Sequence, residues 1–183
     1  SNRFHASGGN AAYSVMANTL RGVYGTDVLL ATANSFTGSV LQADYNKKMA
    51  ASMIMPNGLM SRQRTMTGAE LKETVRAFVE GCEGGFVPFN RGSLPVVSGI
   101  AVEVKEANGS YTLTGITRNG QPLRDDDTVT VTCLAAENQM EALLASESGR
   151  SLDGDTWVKN RWRDHVSGGG AALAEPENYM TLR

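Results

Sequence analysis

The sequence predicts an α+β layered domain, with helices packed on mixed β-sheet. Three observations predict it. Apolar residues recur at helical spacing near residues 12–23 and 71–79. Strands that alternate apolar with polar residues flank two Asn-Gly turns, Asn108-Gly109 and Asn119-Gly120. Val28-Leu29-Leu30-Ala31 is a continuous apolar run, the pattern of a strand buried on both faces.

The elements follow in order. Gly8-Gly9-Asn10 precedes a helix whose apolar face is Ala12, Val15, Met16, Leu20 and Val23. Gly25 stands where a helix-ending glycine is expected. After the 28–31 strand, Asn34 to Asp44 reads as a polar loop, and the methionine-rich stretch Lys47 to Met55 stops at Pro56-Asn57-Gly58. Thr67-Gly68-Ala69-Glu70 is a capping box, with Met66 and Leu71 placed as its hydrophobic staple. The helix it starts buries Leu71, Val75, Phe78 and Val79 and ends near Gly81. Ile100, Val102 and Val104 form one face of a strand that returns through Asn108-Gly109 into Tyr111 to Ile116. Val129, Val131 and Cys133 alternate with Thr128, Thr130 and Thr132 in a further strand. A short helix around Leu143 and Leu144 is expected next. Another, capped by Asp155, carries Trp157, Val158, Arg161, Trp162 and Val166 and breaks at Gly168-Gly169-Gly170. A last strand spans Tyr179 to Leu182.

Composition narrows the function classes. The 183 residues suit one domain with a sizeable core. Seventeen basic against nineteen acidic side chains give a net charge of -2, which argues against a nucleic-acid binder. No apolar run approaches the roughly 18 residues of a membrane span. Cys82 and Cys133 are too few for a disulfide framework, and His5 and His165 are too few for a two-metal hydrolase site. Ser1-Asn2 reads as a remnant of tag cleavage, so residues 1–8 are expected to be remnant and linker and 9–183 the domain, a fragment of a longer protein.

Self-sufficient catalytic motifs are absent. There is no phosphate-binding G-x-x-x-x-G-K-[ST] loop, and Ser98 lacks the leading glycine of a nucleophile elbow and reads as a strand-edge serine. Asp164 and His165 fall on a solvated helix face. Asp125-Asp126-Asp127 lacks the glycine and bidentate Glu of a calcium loop and reads as polar loop. Arg62 and Arg64 would share one strand face, either gripping an anion or forming an exposed charged surface. Cys133 falls on the apolar side of its strand and reads as a small core residue.

Several segments carry a resemblance. Gly25-Thr26-Asp27-Val28, Met66-Thr67-Gly68-Ala69-Glu70-Leu71-Lys72, Leu94-Pro95-Val96-Val97-Ser98-Gly99-Ile100, Asn119-Gly120-Gln121-Pro122-Leu123 and Pro176-Glu177-Asn178 occur in order. From about Gly9 to Arg183 the chain resembles the C-terminal domain of the 5′-nucleotidase family, which includes UDP-sugar hydrolases and cyclic-nucleotide phosphodiesterases. The resemblance implies a substrate-specificity domain for an N-terminal metallophosphoesterase domain, its partner in the same protein. That domain would hold the divalent metals and hydrolyse phosphate esters, so this chain alone would need no cofactor and catalyse nothing. It also implies export: extracellular, cell-surface or periplasmic.

The family clamps its nucleotide between two aromatic rings and holds ribose and phosphate with Asn and Arg. The matching positions here are Asn34, Thr37, Asn57, Cys133 and Asn138. Thr37 replaces an Arg, Asn57 and Cys133 replace rings, and the Gly-Gly-Asp-Gly loop is absent. The pocket is therefore expected to be diverged, taking a nucleotide weakly or another small polar ligand. Phe36, Phe86 and Phe89 could supply replacement rings or anchor loops on the core. The alternative is a non-catalytic packing or interaction module that has lost ligand binding.

Overall fold

The computed structural model describes residues 11–32, 35–36, 59–80, 95–136, 158–168, 174, 177 and 179–183. Helix α1 spans Ala11–Tyr24, α2 Gly68–Glu80 and α3 Val158–Ser167. The strands are β1 Val28–Thr32, β2 Leu59–Thr67, β3 Pro95–Ser98, β4 Ala101–Ala107, β5 Ser110–Arg118, β6 Gln121–Pro122, β7 Thr128–Ala136 and β8 Met180–Leu182. They build two four-stranded sheets, ordered β2-β7-β1-β3 and β6-β5-β4-β8. Each is mixed: β1 runs parallel to β7 but antiparallel to β3, and β4 runs parallel to β8 but antiparallel to β5. The expected α+β architecture is therefore present, with its strands divided between two sheets.

One core joins the two sheets: β1, β3 and β7 of the first share it with Val102, Val104, Ile116 and Met180 of the second. Val28, Leu29, Leu30 and Ala31 have no exposed surface, as their unbroken apolar run requires when β1 lies between two strands with both faces covered. Alternation in β7 holds only at its start. Val129 is buried and Thr130 exposed, but residues 131–134 are all buried. Thr132 is accommodated there because its hydroxyl meets that of Thr26 at 2.8 Å.

In α1 the buried residues are Tyr13, Met16, Ala17 and Leu20, with the polar Ser14, Asn18 and Thr19 beside them. The C-terminal segment satisfies two of those polar groups. The Ser14 hydroxyl donates to the Glu177 carbonyl at 2.9 Å and accepts from the Glu177 amide at 2.8 Å, and Thr19 Oγ1 accepts from the Ala174 amide at 2.9 Å. Gly25 ends α1 at φ +65° in a double closure: Gly25 N–H reaches the Gly22 carbonyl and Thr26 N–H the Arg21 carbonyl.

The capping box forms as read. Thr67 N–H donates to Glu70 Oε2 at 2.7 Å and Glu70 N–H to Thr67 Oγ1 at 3.2 Å, while Met66 and Leu71 are both buried. Helix α2 then packs against β2 of one sheet and β5 of the other. Asn108 and Gly109, and again Asn119 and Gly120, all have positive φ, the requirement of two-residue type I′ turns. These turns join β4 to β5 and β5 to β6.

The sheet junction is Gly99, at φ +83°, between β3 and β4. A Cβ there would collide with the Asp27 carbonyl oxygen, so the chain crosses from sheet to sheet only as glycine. No helix among the described residues is long and apolar enough to cross a membrane.

Candidate functional site

The register of the first sheet aligns four chain ends. Thr32 at the end of β1 faces Pro95 at the start of β3, and Leu59 at the start of β2 faces Ala136 at the end of β7. Parallel pairing of β1 with β7, Leu30 opposite Cys133, puts their carboxyl ends side by side. The segments following Thr32 and Ala136, and those preceding Leu59 and Pro95, therefore all attach at one end of this sheet. Ligand-binding residues concentrate in such connections, held by a rigid scaffold.

Of the expected site residues, Asn34, Thr37, Asn57 and Asn138 lie outside the described residues, as do Phe86, Phe89, Cys82, the Leu143–Leu144 helix, Asp155 and Trp157. Cys133 is described. It has no exposed surface, sits in β7 with Leu30 and Arg62 as its register partners, and its thiol is pushed up by burial. It is a neutral core group. Phe36 is 4 % exposed and tilts against Tyr13 at a ring separation of 5.7 Å, so it anchors its segment on the core.

The reading of two arginines changes. Arg62 and Arg64 do not form one exposed surface. Arg62 is fully buried in β2, while Arg64 stays partly exposed and pairs with Glu70 at 3.4 Å. The cause is nonlocal: β2 pairs along its length with β7, some seventy residues on, and both α2 and α3 contact it. Ser98 lies on the edge strand β3 but is buried, donating to Asn18 Oδ1 and accepting from Arg21 Nε at 2.8 Å. Its hydroxyl is structural.

The Asp125–Asp127 loop is a docking turn for α2. The carbonyls of Asp127 and Asp125 accept from Gly68 N–H at 2.7 Å and Ala69 N–H at 3.2 Å, donors that a helix start leaves open. Lys72 reaches Asp125 at 2.8 Å and Arg124 reaches Asp126 at 2.8 Å. Asp164 is exposed on α3, 3.5 Å from Arg163, but His165 is half-buried with its Nε2 enclosed, so the two do not share a solvated face. Among the described residues no three His, Cys, Asp or Glu side chains come together as a metal site.

At the opposite end of the same sheet lies a polar cluster that sequence reasoning missed. Asp27 Oδ2 accepts from both the amide and the hydroxyl of Thr130, each at 2.8 Å, and Oδ1 accepts from Arg118 Nη2 at 2.6 Å. The Thr130 amide above all, then its hydroxyl and the nearby guanidiniums, hold the Asp27 carboxyl below its usual range against a smaller opposing effect of burial. Asp27 lies in the quoted Gly25–Val28 segment and Arg118 immediately precedes the Asn119-Gly120 turn, but no periodicity links residues 91 positions apart.

No protein-family model matches the sequence, and no curated protein matches it. Solved structures do. A 5′-nucleotidase precursor from Thermus thermophilus superposes with a TM-score of 0.67 at 14% identity, over 98% of this chain and 36% of that one. The NAD nucleotidase of Haemophilus influenzae matches with a TM-score of 0.63 at 16% identity, over 96% and 34%. A putative 5′-nucleotidase from Staphylococcus aureus, solved with alpha-ketoglutarate, matches at 0.65 and 10% identity, over 97% and 37%. The chain spans about a third of the length of these structures. At such identities the likeness concerns fold, and the chain carries the α+β fold of the C-terminal domain of 5′-nucleotidases.

Proposed function

We propose that the chain is the substrate-specificity domain of a 5′-nucleotidase-like phosphoesterase, with a diverged ligand pocket. The observation that carries this reading is the likeness to nucleotidases over nearly the whole chain and about a third of theirs, which leaves room for a separate N-terminal catalytic domain. In this reading the metals and the hydrolysis belong to that domain, and the protein is exported. The pocket forms at the sheet end where the segments after Thr32 and Ala136 and before Leu59 attach. Asn34, Thr37, Asn57 and Asn138 belong to those segments and would supply hydrogen bonds there, while Cys133, fully buried in β7, would supply none.

The substitutions set the affinity. Two lost stacking contacts remove roughly 2–6 kcal/mol, and Thr37 in place of Arg removes a charged contact of about 1.5–3 kcal/mol. AMP is therefore expected to bind this chain with a Kd of about 1 mM or weaker, measured by calorimetry. The chain alone releases no phosphate from nucleotides with Mn²⁺, Mg²⁺ or Zn²⁺. Joined to its upstream region, it is expected to hydrolyse nucleotides or sugar nucleotides in a phosphatase screen. Metal-dependent turnover by the chain alone would overturn the division of labour. Micromolar AMP binding would overturn the diverged pocket. No hydrolysis by the longer protein would favour the packing-module reading.

A further inference from the structure

A cleft of about 390 Å³ lies away from the four aligned chain ends, lined by Arg21, Asp27, Arg118, Glu177 and the glycines Gly99 and Gly120. Its two guanidiniums are held by Asp27 and Ser98. Arg118 Nη2 binds the Asp27 carboxylate at 2.6 Å, and Arg21 Nη1 leans on the Asp27 carbonyl at 3.5 Å while its Nε is held by Ser98. Asp27 is itself saturated by Thr130 and held ionised, so it acts as a rigid post. Arg118 Nε and Nη1 and Arg21 Nη2 have no hydrogen-bond partner among the described residues. Arg21 forms no ion pair there either. Gly99 and Gly120 bring no side chains into the cleft.

We propose that this cleft binds a small oxyanion, a carboxylate or a phosphate, between Arg21 and Arg118. Open guanidinium N–H groups make charge-assisted hydrogen bonds to such oxygens, and side chains already held in place lose little entropy on binding. Glu177 lines the same cleft, is exposed, and opposes an anion. It keeps the affinity low and makes the proposal testable in both directions.

The test is amide NMR of the 183-residue chain titrated with inorganic phosphate and, separately, acetate, against sodium chloride of equal ionic strength. Saturable shifts of Gly99, Asn119 and Gly120 are expected with phosphate, acetate or both, and which anion produces them assigns the ligand class. Arg118→Gln should weaken binding about tenfold, Arg118→Lys less because a point charge remains, and Glu177→Gln should strengthen it a few-fold. Equal shifts with chloride, shifts centred elsewhere, or a Glu177→Gln variant that binds no better would each overturn the proposal.

Discussion

The two sheets are built on opposite principles. In β2-β7-β1-β3, neighbours are far apart in sequence and the central strands are buried on both faces. In β6-β5-β4-β8, three strands follow one another through two-residue turns, and β4 and β5 bury one face only where they are buried at all. The first sheet is stabilised by burial and the second by local turn geometry added to burial. Truncation of a leucine to alanine should therefore be felt very differently in each.

The largest expected effect tests that directly. Leu30→Ala, in the middle of β1, should cost about 2–5 kcal/mol, because its cavity would be surrounded by close-packed strands and α1. Leu113→Ala, half-buried in β5, should cost about 1 kcal/mol, since solvent and rotamer changes can fill the gap. Urea unfolding midpoints of the two variants decide it. Equal losses would mean that the two sheets are packed alike within the core they share.

A second contrast sharpens the role of glycine at the sheet junction. Gly99 and Gly109 both have positive φ, at +83° and +77°. Around Gly109 nothing lies within 4 Å of an added Cβ, so Gly109→Ala should carry only the backbone penalty of about 1–2 kcal/mol. At Gly99 the same change drives a methyl into the Asp27 carbonyl and should cost about 3 kcal/mol, loosening β3 from β4. Thermal melts of the two alanine variants, with a larger drop for Gly99→Ala, are the check.

Legibility in the sequence follows the same division. Asn108-Gly109, the Thr67–Glu70 box and the apolar run at Val28 were legible because each is decided within a few residues. The burial of Arg62 was not, since it depends on distant elements, β7 beside β2 and the helices packed against it. Nor was the full burial of Thr132, which depends on Thr26 across the parallel pair. The Asp27–Arg118–Thr130 cluster joins three elements and leaves no periodic trace. The proposed pocket rests on resemblance alone, because Asn34, Thr37, Asn57 and Asn138 have no local pattern of their own.

The smallest expected effect belongs to the joint where β2 becomes α2, the helix that touches both sheets. Thr67→Ala removes the hydroxyl that accepts from Glu70 N–H and should cost about 0.5–2 kcal/mol. Glu70→Ala should cost less, because the Glu70 side chain is 45% exposed and its pair with Arg64 is largely screened. The double variant should lose less than the sum, since one reciprocal motif is removed only once. pH gives an independent reading. The Thr67 amide, then its hydroxyl and Arg64, hold the Glu70 carboxyl below its ordinary value despite slight burial. A carboxyl lowered in the folded state stabilises fully above its unfolded pKa, about 4.3, and that contribution fades as pH falls through the folded value. The stability difference between the parent and Glu70→Ala should thus be constant at neutral pH and shrink below about pH 4. Strictly additive midpoints, together with a difference that does not change with pH, would show that Thr67 and Glu70 act separately and that α2 is held between the sheets by its buried face alone.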